Sequence, residues 1–191
     1  MTTSRRQLMI TALGTLALAT LAASAGINSA QAQDKSVTIG IELPLTGADA
    51  DSATRIRNGA TMALDDINAA GGAGGYHLNV TVLDSGTATA GQYDPAQAAT
   101  NAKKFAADSN VVALVGPQMS GEGKAMTPIL SQANLATITP SSTNPDITDP
   151  KFAGQYKPGG KAIYFRTVTT DAYQGPNMAN YMRDTLKVKS V

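Results

Sequence analysis

The chain has 191 residues, of which 42% are hydrophobic and 15% charged, and its formal net charge is +1. That length and apolar content allow a folded core, and the low charge is untypical of disordered or nucleic-acid-binding proteins. The lack of cysteine excludes disulfides, thiolate metal sites and a cysteine nucleophile, and the single histidine, His77, excludes a histidine-rich metal site. We therefore expect neither a cofactor nor a bound metal.

The first 32 residues have the pattern of an export signal. Arg5 and Arg6 precede an Ala/Leu-rich run that extends to about Ile27, and Ala30–Ala32 supplies the small residues of a cleavage site. The adjacent arginines resemble a twin-arginine signal, and general secretion is the alternative. A membrane anchor is disfavoured because glycine, serine and threonine interrupt the run. The sequence predicts cleavage after Ala32 and a periplasmic protein.

Beyond this signal, short apolar runs alternate with helical patterns. Strands are predicted at Val37–Ile41, Leu78–Leu83, Val111–Val115, Leu135–Ile138 and Ala162–Arg166. Helices are predicted at Ala53–Ala70, from Pro95 through Ala106, at Glu122–Ala133 and from Gly175 to Leu186. This alternation predicts an α/β fold with a mostly parallel, doubly wound sheet. The segment Thr139–Lys161 is rich in proline and glycine and is predicted to be loop, and Val188–Val191 is predicted to enter another strand.

Two predicted helices have an apolar stripe at helical spacing. The first stripe consists of Ile56, Ala60, Ala63 and Ile67, and the last helix has Ala179, Met182 and Leu186. Each stripe predicts packing against a sheet. The sequence predicts no further sheet for the last helix to cover. We therefore expect the chain to be incomplete at its C-terminal end, and the mature fragment to associate through exposed apolar surface.

No enzyme signature is present. The segment Gly116–Gly121 has the glycine spacing of a phosphate loop, but Glu122 stands where the phosphate-binding lysine belongs. The adjacent carboxylates of Asp65 and Asp66 do not share a helix face, which indicates a solvated surface. His77 has no neighbouring nucleophile or acid that would suggest a triad. The sequence therefore predicts a protein that is not an enzyme, and an exported hydrolase would need a nucleophile–histidine pair that is not visible.

Three small polar loops follow predicted strands, at Pro44–Ser52, Pro117–Gly121 and Thr139–Asn144. In open α/β sheets, ligands bind at the carboxyl ends of the strands. Ser120 precedes a predicted helix, where its hydroxyl, the free backbone amides and the helix dipole could hold a carboxylate. The hydroxyls and carbonyls of the third loop suit an ammonium group. The three loops together predict a small-molecule site.

Motifs in a fixed order then indicate a family. They are Val37–Gly47, Asn58–Ala60, Asp66–Gly72, Val115–Pro117 with Ser120, Ile138–Pro145, Phe165–Thr167 with Asp171, and Gln174–Pro176. Together they resemble the branched-chain amino-acid (Leu/Ile/Val) binding proteins, the exported receptors of ABC importers. The resemblance covers essentially the whole mature chain, and it implies the type I periplasmic-binding-protein fold.

The resemblance also implies roles for single residues. Ser120 would bind the ligand carboxylate, while Ser141 through its carbonyl and Thr143 through its hydroxyl would hold the ammonium. Ser142, between them, completes this part of the candidate set. Ser52 stands where many relatives place an aromatic side chain over the ligand, so the resemblance leaves the ligand's own side chain open.

Members of this family are longer than the present chain and have two lobes that close on the ligand. Residues 33–167 would be an incomplete first lobe, and residues 168–191 the crossover and first elements of a truncated second lobe. Expected partners are a small-molecule ligand, an amino acid by preference, and the membrane permease of the importer, with no nucleic acid. The full-length protein would be a monomer. The alternative is a one-lobed periplasmic sensor or binding module for amides, urea or other small solutes.

Overall fold

The computed structural model describes residues 35–190, so the predicted signal at residues 1–32 lies outside the described residues. The strands are β1 (Ser36–Leu43), β2 (His77–Asp84), β3 (Val111–Val115), β4 (Ala136–Thr139) and β5 (Tyr164–Arg166). The helices are α1 (Ala50–Ala69), α2 (Pro95–Ala107), α3 (Ser120–Gln132), α4 (Ala153–Tyr156) and α5 (Asp171–Asp184). Within this part of the chain, every helix is too short or too polar to cross a bilayer.

All five strands pair in parallel, in the order β2-β1-β3-β4-β5. The predicted α/β class and parallel sheet are confirmed. The chain runs from β1 to one edge of the sheet and then returns to the other side of β1, which places a topological switch point beside this strand. The loops after β1, β3 and β4 therefore lie at one edge of the sheet.

One face of the sheet is covered by α2 and α3. Its core contains Phe105, Leu114, Met126 and Leu130, all 2% exposed or less. A Cβ atom at Gly40 of β1 would lie 2.2 Å from the Leu114 side chain and 2.7 Å from the Phe105 ring. The absence of a side chain at Gly40 is what lets these two residues pack directly on the strand.

The opposite face carries α1. A smaller cluster of Ile41, Leu43 and Ala53 is completely buried there. Farther along the same face, the side chain of Ile138 is 40% exposed and that of Phe165 is 50% exposed. The cover that α1 provides therefore ends well before β5.

The predicted stripe of α1 is partly wrong. Ala53 and Leu64 are the buried residues of this helix, whereas Ala63 is exposed and Ile67 is 39% exposed. After Ala60, the inward position is four residues on, at Leu64, rather than three residues on, at Ala63. Because both steps are compatible with a helical period, the apolar pattern alone did not distinguish them.

Three further expectations are corrected. The last helix begins at Asp171 rather than Gly175 and contains Pro176 in its exposed interior. The segment predicted as loop contains α4 and two 3₁₀ turns, at Pro145–Ile147 and Pro150–Phe152, which form because the side chains of Asn144 and Asp149 cap them. Residues 188–190 form no strand; instead, the Val188 N–H bonds back to the carbonyl of Met182 at 3.0 Å.

Candidate functional site

The three predicted polar loops meet at the carboxyl edge of the sheet. The side-chain amide of Gln118 donates to Ser52 Oγ at 2.7 Å, which joins the loop after β3 to the start of α1. The hydroxyl of Ser141 donates to the backbone carbonyl of Gln118 at 2.8 Å, which joins the loop after β4 to the same residue. The predicted convergence of these loops is therefore present in the structure.

The loop after β3 is held close to both neighbouring strands. Gly116 has a φ of 117°, and a Cβ atom there would lie 2.1 Å from the carbonyl oxygen of Glu42 on β1. On the other side, the Thr137 hydroxyl donates to the Gly116 carbonyl at 2.5 Å, and the Thr139 hydroxyl donates to the Pro117 carbonyl at 2.6 Å. Only glycine permits this approach, which sets the direction in which α3 begins.

Ser120 is the first residue of α3 and not its cap, which corrects the expectation that it precedes the helix. The preceding Met119 N–H donates to the Glu122 carboxylate at 2.8 Å, so Glu122 performs the capping. Ser120 Oγ accepts from the Ser142 hydroxyl at 3.1 Å and from the Asn144 N–H at 3.3 Å. Within residues 35–190, the Ser120 hydroxyl proton has no acceptor, so it is available to an anion at this helix end.

Ser141 and Thr143 present unused acceptors beside Ser120. In the described part of the chain, no hydrogen bond reaches the carbonyl of Ser141 or the hydroxyl of Thr143. The carbonyl of Thr143 accepts from the Asp171 N–H at 3.0 Å, which connects the loop to the first turn of α5. A carbonyl and a hydroxyl oxygen without partners suit the N–H groups of an ammonium ion.

Ser142 is buried beside the site and bonds to Ser120. Its side chain is 1% exposed and bonded to Ser120, and its N–H donates to the Thr139 hydroxyl at 2.9 Å. A residue so buried contributes by orienting Ser120. Two of the five candidate residues, Ser52 and Ser141, are hydrogen-bonded to Gln118. Two others, Ser120 and Ser142, are hydrogen-bonded to each other. The fifth, Thr143, follows Ser142 in the same loop.

Arg166, at the end of β5, fixes the third loop and was not singled out from the sequence. Its guanidinium donates to the carbonyl of Ser142 at 2.9 Å, to the carbonyl of Asn144 at 2.5 Å and to the Thr148 hydroxyl at 2.7 Å. The group also lies 5.1 Å from the centre of the Tyr164 ring. Burial lowers the pKa of the Arg166 guanidinium below its ordinary value. An arginine that ends a buried strand beside a hydroxyl-rich loop was the available signal.

Two buried carboxyl groups lie beneath the start of α3. Glu42 on β1 and Glu122 on α3 are both completely buried, and the Ser85 hydroxyl bonds to Glu122. Burial, with the charge of Glu122 in addition, raises the pKa of Glu42 to about 8, and burial also raises the pKa of Glu122. Neither carboxyl oxygen of Glu42 has a hydrogen-bond partner among the described residues. Because two adjacent buried carboxylates do not both ionise readily, the pair retains a proton at neutral pH.

The arrangement is suited to binding a small polar ligand. Ser120 offers a donor, Ser141 and Thr143 offer acceptors, and these groups lie next to one another on one edge. His77 lies at the amino-terminal end of β2, on the opposite edge of the sheet. Residues 35–190 contain no cluster of three acidic or histidine side chains that could hold a metal ion.

Comparison with known proteins identifies the family. The family model described as periplasmic binding protein matches residues 36–191. A leucine-, isoleucine-, valine-, threonine- and alanine-binding protein of Pseudomonas aeruginosa is 32% identical over 169 residues, which is 88% of this chain and 41% of that protein. An amino acid binding protein of the same species is 30% identical over 155 residues, or 81% of this chain and 37% of that protein.

A solved structure agrees in fold and sequence. The branched-chain amino acid transporter substrate binding protein LivJ of Streptococcus pneumoniae, in complex with isoleucine, has a TM-score of 0.66 and 30% identity. The match covers 80% of this chain and 39% of that chain. The chain thus spans about two fifths of the length of the curated relatives it matches. Its sheet is that of the type I periplasmic binding proteins, and the chain belongs to the periplasmic binding protein family.

Proposed function

We propose that this chain is the first ligand-binding lobe, with the start of the second, of an exported solute-binding protein of an ABC importer. Its ligand is a branched-chain amino acid or a related small solute. The observation that carries the proposal is the pairing at one sheet edge of an unused hydroxyl donor, Ser120, with the unused acceptors of Ser141 and Thr143. The names of the relatives support the same class of ligand.

The two charged ends of an amino acid meet complementary groups. The carboxylate receives the Ser120 hydroxyl and the first N–H groups of α3, which have no acceptor within the helix, and the helix dipole favours the negative charge. The ammonium donates to the Ser141 carbonyl and the Thr143 hydroxyl. Both contacts are made by neutral groups, so binding requires no proton transfer to or from the ligand.

The proposal includes export and delivery. Residues 1–32 direct the protein out of the cytoplasm and are removed after Ala32, and the full-length receptor acts as a monomer that passes its ligand to a membrane permease. N-terminal sequencing of the exported protein should begin at Gln33. Replacement of Arg5 and Arg6 by lysine should abolish export if the route is twin-arginine, and continued export would indicate the general pathway.

Ligand analogues test the two charge contacts separately. The ¹⁵N-labelled chain is titrated with L-leucine, with isopentylamine, which lacks the carboxylate, and with 4-methylpentanoate, which lacks the ammonium. A hydrogen bond to a charged group is worth about 1.5–3 kcal/mol, so Ser120→Ala should weaken leucine binding by roughly tenfold to a hundredfold. The same variant should leave isopentylamine binding nearly unchanged.

Thr143→Val should show the opposite selectivity, with loss for leucine and isopentylamine and little change for 4-methylpentanoate. The matched control is Ser109→Ala, an exposed serine before β3 on the far edge of the sheet. Because the chain has one of the two lobes, leucine should bind it weakly. The proposal is contradicted if leucine shifts amide signals only outside the three loops, or if Ser120→Ala and Ser109→Ala behave alike.

A further inference from the structure

We propose that Ser52, oriented by Gln118, selects ligands whose side chain ends in a hydrogen-bond donor, such as a hydroxyl or an amide. This inference rests on the proposed function, because it takes the ligand carboxylate and ammonium to be held at Ser120 and Thr143. It concerns the remaining part of the ligand, about which the family resemblance says least.

The hydroxyl of Ser52 has only an acceptor to offer. This exposed residue lies in the first turn of α1, and its hydroxyl donates to the carbonyl of Asp49 at 2.9 Å. Its oxygen accepts from the side-chain amide of Gln118 at 2.7 Å. A hydroxyl has one proton and two lone pairs, so the proton and one lone pair are in use. The lone pair that remains can bind a donor but cannot satisfy an acceptor.

Gln118 fixes this orientation. Its side chain is 7% exposed, and since the Ser52 proton is bonded to Asp49, the group facing Ser52 must be the amide nitrogen. The other side-chain atom, Oε1, is buried and has no partner within residues 35–190. An unpaired buried acceptor is destabilising, and an aliphatic residue of similar size would avoid that cost. The bond from the amide nitrogen to Ser52 explains why an amide occupies this buried position.

The charges around Ser52 also favour a ligand side chain that ends in a hydrogen-bond donor. Asp49 keeps its carboxylate close to the start of α1, with one oxygen accepting from the Tyr93 N–H at 3.0 Å. Asp51 precedes Ser52, and its ion pair with Arg55 is fully at the surface. Carboxylates on both sides disfavour an acidic side chain and favour the positive end of a hydroxyl or amide dipole. A hydrocarbon side chain would displace water from Ser52 and return no hydrogen bond.

Ser52 is also close to the contacts proposed for the charged groups. Gln118 stands two residues before Ser120, and its carbonyl accepts from the Ser141 hydroxyl. One residue thus connects the Ser52 hydroxyl with the loops that hold the carboxylate and the ammonium. We therefore expect the side chain of a ligand held at Ser120 and Ser141 to approach Ser52.

Ligands of equal shape test the inference. L-leucine, L-asparagine and L-aspartate have nearly the same size and branching, but only asparagine ends in a neutral donor. The ¹⁵N-labelled chain is titrated with each, and we expect asparagine to bind about three- to tenfold more tightly than leucine or aspartate. The variant Ser52→Ala should remove this preference, and Gln118→Leu should reduce it. The control Ser109→Ala should keep the parent ratio.

The outcomes separate this inference from the proposed function. If leucine binds at the three loops more tightly than asparagine, or if Ser52→Ala keeps the asparagine preference, the inference is overturned and the proposed function stands. If no amino acid binds at the loops, both fall. Because Ser52 is exposed and belongs to neither core cluster, its alanine variant should retain the parent fold. If Gln118→Leu does not fold, the result for Ser52→Ala alone tests the inference.

Discussion

Both faces of the sheet carry apolar strand residues, but helices bury those of one face much more completely than those of the other. On the face with α2 and α3, Leu114, Met126 and Leu130 are 1% exposed or less. On the face with α1, three residues in one row across the sheet remain open to solvent: Val82 at 38%, Ile138 at 40% and Phe165 at 50%. A parallel sheet normally has helices on both faces, so the exposure of these three residues is atypical of such a sheet.

The difference shows where the described domain obtains its stability. The covered face contains the larger core cluster together with the buried carboxyl pair, whereas the open face has a continuous cluster only beside β1. The candidate site lies at the edge shared by both faces, and the groups that position it, Thr137, Thr139 and Ser142, are all buried. The rigidity of the site therefore depends on the covered face.

The largest expected effect compares one buried with one exposed aliphatic residue. Leu114→Ala should lower the free energy of unfolding by about 3–5 kcal/mol, because it leaves a cavity in a closed core. Ile138→Ala, on the open face, should cost less than about 1 kcal/mol, since much of its side chain is already in water. Urea titration followed by circular dichroism measures both, and equal losses would mean that the two faces do not differ in energy.

The buried carboxyl pair predicts how stability depends on pH. Glu42 titrates near 4.5 in the unfolded chain and at about 8 in the fold, so the folded state binds the extra proton between these values. Stability is full below pH 4.5 and falls by up to about 5 kcal/mol as the pH rises from there through 8. Glu122 and Asp84 are the charged groups that face Glu42 and oppose its ionisation.

The isosteric change Glu42→Gln should reduce the loss of unfolding free energy between pH 5 and 9 to the part that Glu122 contributes, and should stabilise the fold at pH 9. The exposed Asp65→Asn, on α1, is the control and should keep the parent slope. A parent protein that becomes more stable from pH 5 to pH 9 would refute the assignment of a shared proton.

The next prediction concerns Arg166, which bonds to the loop after β4 and should stabilise its conformation. Arg166→Ala removes three hydrogen bonds to the loop that follows β4, and the unfolding free energy should fall by about 1.5–3 kcal/mol. Amide exchange at residues 142–148 should rise more than exchange at residues 116–120. Arg57→Ala on α1, whose guanidinium bonds to the adjacent Asn58, serves as the control, and equal exchange in the two loops would show that Arg166 does not position the site.

The smallest effect concerns surface chemistry rather than stability. We expect the mature chain to bind a hydrophobic dye and to self-associate through its exposed apolar surface. Phe165→Ser should reduce both properties while changing the unfolding free energy little. Lys103→Ser, on the exposed side of α2, should change neither. If the unsubstituted mature chain is monodisperse and binds no dye, the open face does not promote association.

Much of the fold was predictable because strand positions follow from short apolar runs, and the β1 and β2 predictions differ from the structure by one or two residues at the ends. The polar loops were predictable because parallel strands deliver their carboxyl ends to one edge. The cover of each face was not, since Ile138 and Phe165 have the same pattern as buried strand residues. Burial depends on what packs against a strand, and this is not a local property.

The supporting contacts of the site were hidden for a related reason. The pair Glu42 and Glu122, the bond from Gln118 to Ser52, and the bonds of Arg166 all join residues far apart in the chain. A glutamate inside the apolar run Val37–Leu43 was a visible irregularity, but its partner becomes identifiable only when α3 is placed over β1. The resemblance supplied Ser120, Ser141 and Thr143, and the structure adds the residues that hold them.

The most direct test of the account is an amide shift map of the ¹⁵N-labelled chain saturated with L-leucine. The structure has a rival binding surface, an apolar hollow of about 430 Å³ lined by Met178, Met182 and Val188 on α5 and the residues after it. We predict that the largest shifts occur at residues 118–123 and 141–144, where the unused donor and acceptors lie. Shifts concentrated at residues 175–190 would contradict an amino-acid site at the carboxyl edge of the sheet.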